Sequence, residues 1–284
     1  MTPVDPDEQR GLSRESWERS ASGWGKRADR IRDWGMPVSV TMVDALALQP
    51  GDRVLELAAG PGDTGFMAAE LIAPGGTLIS SDGADAMLAV ARQRAQAAGL
   101  KNVEFRQLEL EWIDMDAASV DAILCRWGIM LIVDPAAAAL EIRRVLRPGG
   151  RAAFAVWDEP QRNPWATIPG RAMIELGHTE PPDPQAPGMF TLAAPGRLAE
   201  LLEAAGFTEV TVKPVALERH YAGSDDFVAE TIEMSPVFSA VYAELDAPAQ
   251  AEVVSRVIAA VAEFSASDGS VMLPGSSLVA VASA

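Results

Sequence analysis

The chain is short of the residues that carry many familiar chemistries. Of its 284 residues one is cysteine, two are histidine and two are tyrosine. A lone Cys125 excludes an internal disulfide and suits a reducing compartment. There is no H-x-x-x-H, no C-x-x-C and no clustered acid motif, so no metal site is expected. The G-x-S-x-G elbow of serine hydrolases is missing too. No run approaches the ~18 apolar residues of a spanning helix, so no stable membrane insertion is expected. The opening MTPVDPDEQR lacks the basic and apolar regions of a secretory leader, and a cytoplasmic location is expected. Positive charge is scarce: 23 Lys and Arg face 40 Asp and Glu, for a net charge of -17. Nucleic acid and anionic membranes are polyanions, so neither is an expected partner.

What is there is an ordinary globular composition, 49% apolar and 22% charged, with length for one large domain or a core with an added smaller one. The organising stretch is VLELAAGPGDTG, Val54 to Gly65. Val54 to Leu57 reads as a short buried strand carrying Glu56. Gly60, Gly62 and Gly65 follow with G-x-G-x-x-G spacing, and Phe66 to Ala73 reads as a helix. Strand, glycine turn and helix make the front of a βαβ nucleotide-binding unit, where a Cβ would obstruct both the reversal and the approach of a ligand. A second strand, Thr77 to Ser81, ends in Asp82, placed to grip a ribose diol.

The order of elements continues the theme. Ser13 to Asp33 can be helical after a loose tail to about residue 12. Trp17 and Trp24 share a face, and Gly23 and Gly25 are expected to break the helix. Val38 to Leu48 reads as a helix, Ala84 to Ala98 as a strong one, Val103 to Gln107 and Val120 to Cys125 as strands. Pro135 to Leu146 reads as a helix stopped by RPGG, and Ala152 to Val156 as the fifth strand. Five strands alternating with helices imply a parallel sheet covered on both faces. Eight of the 20 prolines fall between Pro160 and Pro195, which marks a long insertion holding a helix, Trp165 to Leu176, and an irregular loop, Glu180 to Gly188. Beyond it, Arg197 to Ala205, Asp225 to Glu233 and Pro248 to Phe264 read as helices. Phe207 to Val215 reads as a strand, and Ser277 to Ala284 as a last one after the turn Leu273-Pro274-Gly275.

VLELAAGPGDTG, SSDGADAML, VEFRQLELE, VDAILCRWGIM and RRVLRPGGRAAFAVW stand in one order over roughly residues 40 to 158. In that order the chain resembles class I S-adenosylmethionine-dependent methyltransferases. It is similar in particular to the small-molecule branch of menaquinone and ubiquinone biosynthesis methyltransferases, the methyltransferase type 11-like group. The resemblance implies a Rossmann-like, doubly wound α/β fold. Its seven-stranded, mostly parallel sheet would have a terminal antiparallel hairpin and a helical lid. It implies an arm at 1–36, a core at 37–158, lid insertions at 159–196 and 221–270, and the last helix and strands of the core at 197–220 and 271–284. The implied cofactor is S-adenosyl-L-methionine, the product S-adenosyl-L-homocysteine and the partner a small, apolar or aromatic acceptor. Glu56, Ala58, Gly60 and Gly62 would hold the methionine end. Asp82 would take the ribose, with Gly83 and Met87 beside the adenine and Glu109 and Leu110 near its amine. Leu110 is larger, and Glu109 longer, than the branch commonly has there. Cys125 and Arg126 would complete the cofactor site at the end of the fourth strand, with Arg126 touching the donor's carboxylate or a substrate.

A sulfonium is already an activated electrophile, so catalysis can rest on proximity and orientation. If the acceptor must lose a proton, His178, His220 and Tyr221 are the candidate bases. Trp17, Trp24, Trp127 and Trp165 are candidate walls for the acceptor, among lid residues that include Met173, Met189, Phe227, Phe238 and Phe264. Carbon, oxygen and nitrogen acceptors are all compatible with these residues. The glycine spacing and Asp82 also suit an NAD(P)-dependent oxidoreductase. A non-catalytic cofactor-binding protein of the same fold is a third reading.

Overall fold

Strands buried on both faces are continuous apolar runs, and the central strands obey that rule. In β1 (Arg53–Leu57), Val54, Leu55 and Leu57 are fully buried. The computed structural model describes residues 5–182 and 187–284, so part of the expected loop Glu180 to Gly188 lies outside the described residues. The chain opens with α1 (Pro6–Lys26) and α2 (Ala28–Leu46), then runs β1, α3 (Asp63–Leu71), β2 (Thr77–Asp82), α4 (Asp85–Ala97), β3 (Val103–Gln107) and β4 (Val120–Arg126). It continues with α5 (Pro135–Val145), β5 (Leu146–Trp157), α6 (Pro164–Glu175), α7 (Arg197–Ala204) and β6 (Thr208–Tyr221). Last come α8 (Ser224–Met234), α9 (Pro236–Glu244), α10 (Ala247–Val261) and β7 (Val271–Ser283).

The seven strands form one sheet in the order β3-β2-β1-β4-β5-β7-β6. The first five are parallel, while β7 pairs antiparallel with both β5 and β6. The fold is therefore Rossmann-like, with the antiparallel pair at one edge. From β1 the chain turns one way to β2 and β3, then crosses to β4 and β5 on the other side. The order thus reverses between β1 and β4, and a crevice opens there at the strands' C-terminal ends. Ile79, Ile123, Leu124 and Phe154 fill the sheet, Val38, Met42 and Val43 cover it from α2, and Ile142 covers it from α5. A second buried cluster joins Met173 of α6, Phe227 of α8 and Val253 and Val257 of α10. Among the described residues no helix is long and apolar enough to cross a membrane.

The structure departs from the sequence reading in four places. The expected tail is helical from Pro6, because Asp5 accepts the Asp7 amide at 2.9 Å and proline occupies the first turn. Gly23 and Gly25 do not break α1; the break comes at Arg27, and α2 runs unbroken across 36 and 37. These glycines mark close approaches: a Cβ on Gly23 would strike the Glu233 carbonyl, and one on Gly25 would press Val90 at 3.2 Å. β7 starts at Val271, so Leu273-Pro274-Gly275 is strand, not turn. Proline is tolerated because β5 stops at Trp157 opposite Ser277; beyond that point β7 pairs only with β6. Finally, α9 occupies a stretch where no element was expected, capped by Ser235, whose hydroxyl accepts the Phe238 amide.

Candidate functional site

At the switch point lies a cavity of about 640 Å³, within the range of roughly 300–1,000 Å³ usual for small-molecule sites. Its floor begins at Glu56, near the end of β1 and only 3% exposed. One Glu56 oxygen accepts the Gly65 amide at 2.7 Å and the other the Ser80 hydroxyl at 3.2 Å. Burial raises this carboxyl to about 8, against the lowering influence of the Gly65 amide and Arg126. The third glycine of the motif now has its reason, because a Cβ on Gly65 would fall inside the Glu56 carboxylate. Gly62 turns at φ 92, and its Cβ would enter the Phe66 ring. Gly60, at φ 52, is different: nothing lies within 4 Å of its Cβ position, so its bare backbone borders open space.

Asp82 ends β2 beside this loop. It accepts the Gly60 amide at 2.9 Å on one oxygen and the Ala84 amide at 2.9 Å on the other. Burial raises its carboxyl to about 6, the two amides opposing. Gly83 follows, and Glu109 stands so near that a Gly83 Cβ would meet its carboxylate at 3.1 Å. Ala84 and Met87 are buried with Ala21 of α1, and Trp17 and Trp24 pack against them.

The opposite wall comes from β4. Cys125 is buried beneath it, and burial pushes its thiol up to about 12, which removes it as a nucleophile. Arg126 lines the cavity with its side chain only 8% exposed. Its Nη2 is 3.9 Å from Asp63, its Nη1 has no hydrogen-bond partner, and its guanidinium lies 4.5 Å above the Trp127 ring. Desolvation lowers its pKa. Trp127, at φ 58, turns its indole onto Trp157, with centroids 4.3 Å apart, and anchors Nε1 on the Ser277 hydroxyl at 3.0 Å.

The cover is α1. Arg10 places two hydrogen bonds, of 2.9 and 3.0 Å, on Glu111, and Arg14 reaches Glu109 at 3.4 Å. Glu18 accepts the free Asp85 and Ala86 amides at the start of α4, at 2.7 and 3.0 Å. Leu131, Ile132, Met189 and Val237 complete the apolar lining.

Of the candidates, Glu56, Ala58, Gly60, Asp82, Gly83, Met87, Glu109, Leu110, Arg126, Trp17, Trp24 and Trp127 border one cavity. Gly62 and Cys125 lie just behind it. Trp165 does not line it; its indole packs over the Arg219 guanidinium at 4.0 Å and donates to Asn163. Neither do the three candidate bases. His178 follows α6, His220 is paired with Glu218 at 3.3 Å on β6, and the buried Tyr221 hydroxyl donates to Glu230 at 2.9 Å. Burial raises the Tyr221 pKa further. Met173, Phe227 and Phe238 are core of the second cluster, not walls. Sequence reasoning missed Arg10, Arg14, Glu18 and Glu111. It also missed Asp63, whose place in the first turn after the glycine loop was the available signal.

Residues 48–179 match a family model described as a methyltransferase domain. Over 183 residues the chain is 31% identical to nocamycin O-methyltransferase of Saccharothrix syringae, covering 61% of this chain and 65% of that protein. Over 121 residues it is 36% identical to demethylmenaquinone methyltransferase of Clavibacter sepedonicus, covering 43% of this chain and 47% of the relative. The matches thus span between about half and two thirds of these relatives' lengths. A solved phosphoethanolamine N-methyltransferase 2 of Haemonchus contortus, in complex with phosphomonomethylethanolamine and S-adenosylhomocysteine, superposes with a TM-score of 0.60. That superposition covers 95% of this chain and 60% of the other at 15% identity, a likeness of fold. Residues 48–179, a little under half of the chain, are thus similar to a methyltransferase domain.

Proposed function

We propose that the protein, as the carrier of this domain, transfers the methyl group of S-adenosyl-L-methionine to a small, largely apolar or aromatic acceptor. The observation that carries the reading is Gly60: bare backbone facing open cavity, held from behind by Asp82 and flanked by Glu56. In this reading Glu56, Ala58 and Gly60 meet the methionine end. Asp82 takes the ribose hydroxyls, its two backbone donors fixing the carboxylate in place. Gly83, Met87, Glu109 and Leu110 enclose the adenine, with Trp17 and Trp24 of α1 over them. When bound, the donor supplies an activated methyl group and leaves as S-adenosyl-L-homocysteine. Residues 37–158 hold it, while the arm at 1–36 and the insertions at 159–196 and 221–270 cover the acceptor. Trp127, Leu131, Ile132, Met189 and Val237 offer the acceptor an apolar wall. The protein's contribution is to align two molecules and exclude water, which is proximity catalysis.

The test is calorimetric titration with S-adenosylhomocysteine, with NAD and NADP alongside. Binding of the thioether alone is expected. Asp82→Ala should then weaken it by at least ~1.5 kcal/mol, since a charged acceptor is lost. Binding of a dinucleotide alone would turn the reading to the oxidoreductase.

A further inference from the structure

The chemical inventory of the cavity is unusual for a site that must deprotonate its substrate. Among the described residues that line it there is no histidine, lysine, tyrosine or cysteine. Its four carboxyl groups are engaged. Glu56 and Asp82 are pinned by the Gly65, Gly60 and Ala84 amides, and Glu111 takes Arg10 and the Asp134 amide. Glu109 takes Arg14 and stands beside Gly83. No group stands ready to take a proton from an acceptor lying against Trp127.

The same wall holds a cation that is not fully matched. Asp63 of α3 is shared: Arg94 of α4 bonds it directly, while Arg126 of β4 lies 3.9 Å away. Arg32 of α2 adds a third positive charge acting on that carboxylate. The other acid facing Arg126 is Glu56 of β1, whose carboxyl burial raises against the opposing pull of Arg126. Among the described residues the buried guanidinium has one ion pair, the 3.9 Å contact to Asp63, and its Nη1 makes no hydrogen bond, where buried charges are ordinarily paired closely. Nη1 is packed against helix α2. Gly35 lies in the helix interior, where glycine is a poor choice, and a Cβ there would come within 2.6 Å of Nη1 and 3.3 Å of the Trp127 ring.

We infer that Arg126 is the oxyanion seat of this cavity and that the methyl acceptor arrives as an oxyanion already formed, an acidic enol, phenol or carboxylic acid in its ionised state. The inference rests on the methyltransferase reading above and deepens it. The chemistry balances without a base. A lone pair of the oxyanion forms the new carbon–oxygen bond while the methyl–sulfur bond breaks and its electrons stay on sulfur. The negative charge of the acceptor and the positive charge of the sulfonium cancel, and no proton remains to be moved. Arg126 holds the anion at the β4 wall of the cavity.

The donor's own carboxylate is the other oxyanion that could occupy this seat, and the experiment separates the two. S-adenosylhomocysteine and methylthioadenosine, which lacks the amino-acid end, are titrated into wild type, Arg126→Lys and Arg126→Met. The protein saturated with S-adenosylhomocysteine is then titrated with 4-nitrophenol, whose ionised form is coloured, across its own pKa. The expected result is that the probe binds in its coloured form. Its affinity should fall about tenfold per pH unit below that pKa, and at least tenfold again in Arg126→Met, with partial retention in Arg126→Lys. S-adenosylhomocysteine should bind all three proteins within about twofold. Loss of S-adenosylhomocysteine but not methylthioadenosine in Arg126→Met would assign the seat to the donor and overturn the acceptor inference. Probe binding that ignores pH, or is absent from a protein that binds S-adenosylhomocysteine, would overturn it too. Should Arg126→Met fail to fold, the wild-type pH series decides alone. A wild type that binds no S-adenosylhomocysteine removes the methyltransferase reading itself, and the inference falls with it.

Discussion

At the floor of the cavity the acids take their hydrogen bonds from backbone: Glu56 from Gly65, Asp82 from Gly60 and Ala84. In the cover the bonds are largely between side chains: Arg10 with Glu111, Arg14 with Glu109, Arg27 with Glu233 and Arg30 with Asp226. The difference separates two tasks. A carboxylate held by amides of the sheet and its loops keeps its place whether or not a ligand is present. Ion pairs at or near the surface, as these half-buried and exposed ones are, are worth less than buried pairs and are screened by salt. Only Ala21 of α1 is fully buried, so its apolar grip rests on the half-buried Trp17 and Trp24. The exception among the side-chain pairs is Arg219 of β6. It lies between the Trp34 and Trp165 rings at 4.3 and 4.0 Å and donates to the buried Glu230 at 2.7 Å.

That exception is where the comparison breaks most severely. Arg219→Met leaves the buried Glu230 with only Tyr221 and Arg30 and is expected to cost about 1.5–3 kcal/mol of stability in urea melts, the range for a hydrogen bond to a charged group. A loss under 1 kcal/mol would place Arg219 with the weak surface pairs. On the floor, Gly65→Ala drives a methyl group into Glu56 and should cost about 1–3 kcal/mol, with S-adenosylhomocysteine affinity falling in the same variant. Unchanged stability and affinity would mean the loop can shift away. Glu56 sharpens the contrast through pH. Burial raises its carboxyl to about 8 when folded, against 4.5 for a free carboxyl, so in that window the folded chain holds a proton the unfolded chain has lost. Stability is therefore fullest below pH 4.5 as far as this group is concerned, and falls as pH rises toward 8. The slope approaches ~1.4 kcal/mol per unit. Glu56→Gln should flatten the stability profile by about one proton; parallel profiles would show Glu56 ionised in the folded chain. The smallest effect belongs to the cover. Arg10→Met should change stability by no more than about 1 kcal/mol, yet speed release of S-adenosylhomocysteine in stopped flow, as added salt does for the wild type. Equal release rates at low and high salt would show that α1 is held by something other than its charges.

The floor was readable because its signals are local. The glycine spacing, Asp82 at the end of its strand and the apolar runs of the parallel sheet each reflect contacts within a few residues or a fixed topology. The cover was harder. Arg10 and Glu111 meet across 101 positions, and no periodicity links them. Pro274 read as a turn because a local rule cannot know that β5 has already ended and left that edge of β7 free. Trp165, and the three candidate bases His178, His220 and Tyr221, were singled out by residue type. The type was right for chemistry, yet α6 and the far end of β6 carry them to the second cluster or the surface. Trp127, named on the same grounds, sits at the end of a central strand and does reach the cavity.

Gly65 and Glu56, nine positions apart, are a matched pair in volume: the acid fills the space that any other residue at 65 would need. Each position therefore limits the vocabulary of the other. A library that randomises the glycine alone will return glycine, and one that lengthens or relocates the acid alone will lose its amide. Variation can enter only through both at once, for instance a shortened Glu56→Asp opening room for Gly65→Ala. A motif written as three glycines is here, in its last letter, the complement of a carboxylate.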